Sequence, residues 1–162
     1  MSHEAPILTD RDELLAWADD LRAKGASIVF TNGVFDLFHA GHLQSLRLAR
    51  LEGSVLLVAV NSDASVRRLK GEGRPILPQD QRMRVLAAME MVDCVTCFDE
   101  DTPTELIKLL RPEVLAKGGH YTTEQIVGHE IVLGYGGRVV GVPIVAGRST
   151  TNIIDKIKTL NA

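Results

Sequence analysis

Five continuous apolar segments alternate along the chain with segments of helical periodicity, and this alternation constrains the fold more than any other feature. A strand that is apolar without interruption is buried on both faces, as in a parallel sheet covered by helices on both sides. Helical segments between such strands supply the crossovers that parallel pairing requires. The sequence therefore predicts an α/β fold, a doubly wound, Rossmann-like parallel sheet of about five strands with helices on both faces. The predicted strands are SIVFT (27–31), SVLLVAVNS (54–62), DCVTCF (93–98), EVLAKG (113–118) and RVVGVPIV (138–145).

The helical segments have ordinary start and stop signals. Thr9 followed by Asp12 resembles a capping box before the first helix, and Gly25 ends that helical pattern. The basic, glycine-punctuated stretch 63–78 is predicted to be a loop. No linker, repeat or low-complexity tract is present, so we expect one domain over 1–162, with 1–25 as an N-terminal helical extension. Further helices are predicted over 43–51, 78–92, 102–110, 123–135 and 150–160.

The composition excludes several classes of function. With 162 residues and a formal net charge of −3, the chain lacks the basic face that nucleic-acid binding usually needs. Its acidic start lacks the layout of a signal peptide, and its longest apolar run, 55–60, is too short to span a bilayer. We therefore expect a cytoplasmic protein with neither nucleic acid nor membrane as a partner. An anionic small substrate remains compatible, because a cationic pocket can be local.

The two cysteines, Cys94 and Cys97, form a CxxC pattern that invites a redox or zinc interpretation. The segment is predicted to be a strand, on which residues three apart point to opposite faces. No second cysteine pair is present to complete a zinc site. We therefore interpret both cysteines as small residues of the core.

Polar residues cluster where the predicted strands end. In open parallel sheets, ligands bind outside the carboxyl ends of the strands, where the strand order switches. The cluster at 147–151 reads GRSTT and directly precedes a helix, so it is either a phosphate site or a simple Ser/Thr N-cap. The clusters are Thr31, Asn32 and Gly33 with Asp36, His39 and His42; Asn61, Ser62 and Asp63 with Arg67, Arg68, Lys70 and Arg74; Lys117, Gly118, Gly119 and His120; and Gly147 to Thr151.

The histidines of FHAGH admit three interpretations. On one helix face, His39 and His42 could bind a metal, but the sequence offers only scattered further ligands. At the start of a helix they could instead converge with the helix N-terminus on an anion, and Gly41 would allow close approach. A structural role is the third possibility. The GxGxxG and GxxxxGK[ST] fingerprints are absent, which disfavours NAD-dependent redox chemistry and P-loop hydrolysis.

Two separated motifs carry a resemblance to a known superfamily. GVFDLFHAGH resembles the HxGH signature of the cytidylyltransferase-like nucleotidyltransferases, and GRSTTNII (147–154) resembles their second, phosphate-binding signature. Within the superfamily, the stretch from about Ile28 to Ile157 resembles the heptose 1-phosphate adenylyltransferase family in its standalone form. The family commonly has an acidic residue where this chain has His120. The matching segments are TNGVFDLFHAGH, VNSDASVRRLKGEGRPI, QDQRMRVLAAMEMVD, FDEDTP, KGG and STTNIIDKI.

This resemblance implies an activity and a set of site residues. The implied reaction joins ATP to D-glycero-β-D-manno-heptose 1-phosphate and yields ADP-heptose and pyrophosphate, for lipopolysaccharide or another surface glycan. Mg²⁺ bridging the ATP phosphates, no metal-ligating side chains and a homodimer are also implied. The implied catalytic residues are His39, His42 and Lys70; the nucleotide-binding residues are Thr31, Asn32, Gly33, Phe35, Gly41, His42, Arg82, Lys117, Gly118, Ser149 and Thr150; and the substrate contacts are Asp36, Asn61 and Arg74.

Three alternatives stand beside this hypothesis. The first is a glycerol-3-phosphate cytidylyltransferase or another HxGH nucleotidyltransferase. The second, from a different class, is a nucleotide-binding module that has kept the fold and lost turnover. The third is a redox protein that uses the CxxC pair. Arg82 also has a purely structural interpretation, in which it pairs with Asp80, Glu90 or solvent on an exposed helix face.

Overall fold

The structure, a computed structural model, describes residues 4–143 and 149–160. The first two residues of the GRSTT motif, Gly147 and Arg148, lie outside these ranges. A single 3₁₀ turn, Thr123–Gln125, accompanies seven helices and five strands in the described part. These are α1 Arg11–Ala23, β1 Ile28–Gly33, α2 Ala40–Arg50, β2 Val55–Asn61, α3 Asp63–Lys70, α4 Gln79–Ala87, β3 Cys94–Phe98, α5 Thr104–Leu110, β4 Val114–Gly118, α6 His129–Gly134, β5 Arg138–Val142 and α7 Thr150–Leu160.

The five strands form one parallel sheet in the order β3-β2-β1-β4-β5. The chain begins in the middle at β1, adds β2 and β3 on one side, and then crosses to add β4 and β5 on the other. The order therefore switches between β1 and β4, which places a ligand-binding crevice at their carboxyl ends. The predicted doubly wound, Rossmann-like α/β fold is confirmed.

Two apolar cores lie on opposite faces of the sheet, and successive strand residues alternate between them. On β1, Val29 belongs to one core and Phe30 to the other. Helices α2 and α4 cover the first core, whereas α1, α5 and α6 cover the second. Leu14 and Ala18 of α1 are fully buried, so the helix within 1–25 packs directly against the sheet.

Carboxylates fix the amino ends of the two central strands. Glu113 accepts a hydrogen bond from the Ile28 N–H at 2.8 Å and pairs with Arg22 at 2.7 Å. Asp93 accepts one from the Leu56 N–H at 2.7 Å and pairs with Arg50 at 3.1 Å. Strand N–H groups that would otherwise lack a partner are thereby satisfied at this edge.

Three predictions about the helices are wrong in detail. The first helix is capped by Asp10 rather than Thr9, because the Asp10 carboxylate accepts the N–H groups of residues 12 and 13, each at 3.0 Å. Residues 63–70, predicted to be a loop, form α3, whose cap is Ser62. The segment 123–135 is a 3₁₀ turn and a short helix separated by Gly128, which has φ +93° and lies against Ile107.

The cysteines occupy opposite faces of β3, as predicted. Cys94 is buried in one core, and Cys97 packs against the other; both are free thiols. Burial raises the pKa of the Cys94 thiol to about 12, so the reactive thiolate is disfavoured. Within the described ranges, no helix is both long and apolar enough to cross a membrane.

Arg82 of α4 is buried at the junction of four segments, and every nitrogen of its guanidinium is used. It donates to the carbonyl oxygens of Val34 (2.6 Å), Asn61 (2.9 Å) and Leu77 (3.0 Å), and it pairs with Asp63 at 2.8 Å. The side chain is 0% exposed. The interpretation of Arg82 as an exposed residue paired with Asp80 or Glu90 is therefore wrong.

Replacement of Arg82 by methionine should destabilise the fold by about 3 kcal/mol, because it leaves three carbonyl groups and the Asp63 carboxylate without their donor. Urea denaturation gives the free energy of unfolding that tests this. Arg84→Met on the exposed face of the same helix is the matched control and should change stability by less than about 0.5 kcal/mol. Equal losses in the two variants would contradict the role assigned to Arg82.

Candidate active site

A cavity of about 280 Å³ opens over the carboxyl ends of β1 and β4, where the strand order switches. It gathers residues from β1, the β1–α2 loop, α2, β4 and the start of α7, which are far apart in sequence. Most of the residues implied by the family resemblance meet here. Those lining the cavity are Thr31, Asn32, Gly33, Phe35, His39, Gly41, His42, Lys117, Gly118, Ser149 and Thr150.

The β1–α2 loop is built so that the backbone of Gly33 stays close to an aromatic ring. Phe35 has a positive φ of 52°, and its ring lies beneath Gly33, where a Cβ atom would be 3.1 Å from Phe35 Cε2. Any larger residue at position 33 would have to displace that ring. At Gly33 the cavity is lined by backbone without a side chain, which suits the close approach of a ligand.

The two histidines form a stacked pair at the start of α2. His39 is the N-cap residue, and its Nδ1 accepts the Gly41 N–H at 3.1 Å. The ring centroids of His39 and His42 are 3.8 Å apart, with 22° between the ring planes. The HAGH sequence thus begins a helix and places both imidazoles at its positive end.

His42 is held in its neutral form by its surroundings. Burial, followed by the charge of His39, lowers its pKa from 6.5 to about 4, and Asp36 opposes this shift. Phe35 and Phe38 lie against the His42 ring, at centroid distances of 5.3 and 5.5 Å. Its Nδ1 is sealed from solvent and has no hydrogen-bond partner in the described part of the chain. An anion placed in the cavity would favour protonation of this ring.

A second helix N-terminus, that of α7, faces the same cavity. The Ser149 hydroxyl accepts the Asn152 N–H at 3.1 Å, as an N-cap does, and Thr150 Oγ1 donates to the Asp36 carbonyl at 2.6 Å. First-turn N–H groups of a helix have no partner within the helix. Two helix N-termini therefore point at one cavity and favour an anion there.

Lys117 stands in the wall between this cavity and a neighbouring one of about 350 Å³. Its Nζ donates to the Asn32 carbonyl at 3.0 Å and lies 3.4 Å from Asn32 Oδ1. Burial, followed by the charge of Lys70, lowers the Lys117 pKa from 10.5 to about 8. The ammonium is thus a partly desolvated cation that both cavities share.

The second cavity holds two of the remaining predicted residues, Lys70 and Asn61. Lys70 is the last residue of α3 and not part of a loop, which corrects the sequence-based placement. Asn61 ends β2, and its amide donates to Ser65 Oγ at 3.1 Å. The two cavities share Asn32, Gly33, Val34 and Lys117, so together they form one divided site.

Asp36, Arg74 and Arg82 line neither cavity. The buried Asp36 carboxylate accepts the N–H groups of Ile76 (2.8 Å) and Leu77 (2.9 Å) and pairs with Arg74 at 2.8 Å. Although burial opposes ionisation, these bonds hold the Asp36 pKa below its usual value. In this structure the three side chains fix the loops behind the site, and contacts from them to a ligand remain predictions.

Several lining residues were not predicted from the sequence. Ser45 follows His42 by three residues on the same helix face, and its hydroxyl donates to the Gly41 carbonyl at 3.1 Å. The three-residue spacing between His42 and Ser45 could have predicted that Ser45 lines the same cavity. Other unpredicted residues line the second cavity; residues 101–103 lie in the FDEDTP segment that matches the family, but none of them was assigned a role from the sequence. The unpredicted residues of this cavity include Leu69, Asp101, Thr102, Pro103, Tyr121, Gln125, Ile126 and Val127.

Comparison with known proteins agrees with this geometry. Over 136 residues, the chain is 57% identical to the bifunctional protein HldE of Geobacter sulfurreducens, which covers 84% of this chain and 28% of that protein. It is 53% identical over 150 residues to the bifunctional protein HldE of Pelobacter propionicus, covering 93% of this chain and 31% of that protein. The chain thus spans about three-tenths of the length of these curated relatives.

Two solved structures share the fold. The lipopolysaccharide core biosynthesis protein from Thermoplasma volcanium GSS1 superposes with a TM-score of 0.61 at 24% identity, over 75% of this chain and 98% of that one. The pantoate-beta-alanine ligase from Francisella tularensis superposes with a TM-score of 0.65 at 13% identity, over 98% of this chain and 78% of that one.

The HxGH histidine pair and two helix N-termini lie together at the switch point of the parallel sheet, an arrangement that suits a nucleotidyltransferase. The Cytidylyltransferase-like family model matches residues 30–155, and the chain belongs to that family.

The lowered pKa of His42 predicts a pH dependence of stability. The unfolded chain binds the proton more tightly than the folded one between pH 4 and 6.5, so the stability associated with neutral His42 is complete above 6.5 and is lost as pH falls toward 4. The slope should be at most about 1.4 kcal/mol per pH unit. Urea denaturation of the wild type and His42→Gln at several pH values tests this. A stability difference that stays constant between pH 7 and 4 would contradict the shift.

Proposed function

We propose that this chain is an adenylyltransferase that joins ATP to D-glycero-β-D-manno-heptose 1-phosphate, giving ADP-heptose and pyrophosphate for a surface glycan such as lipopolysaccharide. The observation that carries the proposal is the divided site. One cavity holds the histidine pair and two helix N-termini, and its neighbour shares Lys117 with it. The resemblance of TNGVFDLFHAGH and STTNIIDKI to the heptose 1-phosphate adenylyltransferases supports the choice of substrates.

The reaction needs positioning and charge neutralisation rather than a general base. An oxygen of the sugar phosphate, already anionic, attacks the α-phosphorus of ATP. The bond between that phosphorus and the oxygen bridging to the β-phosphate breaks, and the electron pair leaves on pyrophosphate. The histidines, helix N-termini and lysines of the site suit this chemistry because they neutralise phosphate charge in a fixed geometry.

Each group in the first cavity has a role that follows from its position. Ser149, Thr150 and the N-terminus of α7 hold the β- and γ-phosphates of ATP. His39 and His42 face the negative charge that develops as pyrophosphate departs. His42 gains basicity when the anion arrives, so its hydrogen bond strengthens as the charge grows. Thr31, Asn32 and Gly33 line the floor at the reaction centre.

The lysines bring the two substrates together. Lys117 touches both cavities, and Lys70 faces the second one, where the acceptor phosphate would lie. Their positive charges reduce the repulsion between the attacking phosphate and the triphosphate. Gly118, next to Lys117, leaves room beside the nucleoside.

The described residues include no group of three His, Cys, Asp or Glu side chains placed to hold a metal ion. We assign Mg²⁺ to the ATP substrate, because Mg²⁺ keeps several waters and commonly binds through phosphate oxygens with few protein ligands. Formation of a homodimer, implied by the family resemblance, remains a prediction.

A matrix of nucleoside triphosphates against sugar phosphates, read by pyrophosphate release, tests the proposed reaction. We expect turnover with ATP and the heptose 1-phosphate and little with the other pairs. Preferential use of CTP with glycerol 3-phosphate would replace the proposal with a glycerol-3-phosphate cytidylyltransferase. Binding of ATP without turnover of any pair would favour a non-catalytic nucleotide-binding module.

The variant His42→Ala should lower kcat by about 10²–10³-fold, because it removes a donor aimed at the developing charge. Dissociation constants for ATP from calorimetry should change much less. His129→Ala is the matched control, since His129 lines neither cavity, and its kcat should stay near that of the wild type. An unchanged kcat in His42→Ala would remove His42 from the catalytic machinery.

A further inference from the structure

Tyr121 lines the second cavity, and its ring lies close to the backbone of Gly119. The residue is 47% exposed, and its ring packs against Gly119 just beyond the end of β4. A Cβ atom at Gly119 would lie 2.2 Å from Tyr121 Cε2, and Gly119 has φ +143°. Glycine suits this position, because its positive φ would strain other residues and its lack of a Cβ leaves room for the Tyr121 ring.

The turn that follows holds this arrangement. The Thr122 N–H donates to Gln125 Oε1 at 2.9 Å, and the Thr122 hydroxyl accepts the backbone N–H of Gln125. These two bonds form a capping box. The Tyr121 hydroxyl itself has no hydrogen-bond partner among the described residues. A half-exposed aromatic ring with an unused hydroxyl is therefore presented on a preorganised segment.

The second cavity combines cationic, polar and apolar side chains. Its wall toward the first cavity carries Lys117, and the charge of Lys70 is close enough to lower the Lys117 pKa. The rest of the lining mixes apolar and polar groups: Leu69, Tyr121 and Val127 are each about half exposed, and the Asp101 carboxylate pairs with Arg68. Such a lining suits a ligand with a phosphate at one end and a carbon ring bearing hydroxyls at the other.

We infer that Tyr121 determines specificity for the acceptor: its ring contacts the sugar of a sugar 1-phosphate whose phosphate lies near Lys117 and Lys70. This inference rests on the proposed function and assigns the second cavity to the acceptor. The axial C–H groups of a pyranose pack on an aromatic face, and the phenol hydroxyl can bond a sugar hydroxyl. An acceptor without a ring would gain nothing from this contact.

Steady-state kinetics of Tyr121→Ala, Tyr121→Phe and Tyr135→Phe test the assignment. The KM for D-glycero-β-D-manno-heptose 1-phosphate should rise about 10-fold in Tyr121→Ala and less in Tyr121→Phe, which keeps the ring. The KM for ATP should stay within about 2-fold in both. Tyr135 follows α6, donates its hydroxyl to the Pro112 carbonyl and lines neither of these two cavities, so Tyr135→Phe should leave both constants unchanged.

The outcomes separate this inference from the proposed function. A larger rise in the KM for ATP than for the acceptor, or no change in either, overturns the role of Tyr121 while the reaction stands. If the wild type releases no pyrophosphate with any pair, the proposed function fails. Calorimetric titration with the heptose 1-phosphate then decides the inference alone: about 10-fold weaker binding to Tyr121→Ala supports it, and equal or absent binding overturns it.

Discussion

The buried guanidinium of Arg82 is the interaction on which the geometry of this site depends. It joins the loop after β1, the end of β2, the start of α3 and the segment before α4, through three carbonyl groups and one carboxylate. Asp36 complements it, because its carboxylate gathers the N–H groups of residues 76 and 77. An arginine with fixed acceptors is stiffer than the loops it joins. The cavity residues are therefore positioned by side chains that do not themselves line the cavity.

Polar groups at the amino ends of the strands and those at the carboxyl ends have different roles. At the amino edge, Glu113 and Asp93 satisfy strand N–H groups and bind arginines, so the polar groups there are used internally. At the carboxyl edge, two helix N-termini and the His39–His42 pair face a cavity. A parallel sheet with a central switch point favours this division, because its crossovers leave the carboxyl ends of β1 and β4 uncovered.

The sequence was sufficient for the sheet and for most of the first cavity. Each strand is a continuous apolar run, and HAGH and STT lie at strand ends, where topology brings them together. Helix α3 was missed because only Ser65 and Val66 of its residues are buried. Its sequence therefore shows mostly basic side chains and little apolar periodicity. The setting of Arg82 could not be predicted, since three of its acceptors are backbone carbonyls that any sequence supplies. In the second cavity, Asn61, Lys70 and Lys117 were predicted from the family resemblance, whereas Tyr121 and Val127 were not, because their positions there depend on loop packing rather than on periodicity.

The position of Lys117 between the two cavities has a consequence for the affinities of the substrates. One ammonium group serves both pockets, so an anion in either pocket changes the electrostatic potential felt in the other. The free energies of binding of the two ligands are then linked, and by thermodynamic reciprocity each ligand alters the affinity for the other by the same factor. A substitution of Lys117 would therefore change the affinity of both pockets for anions at once.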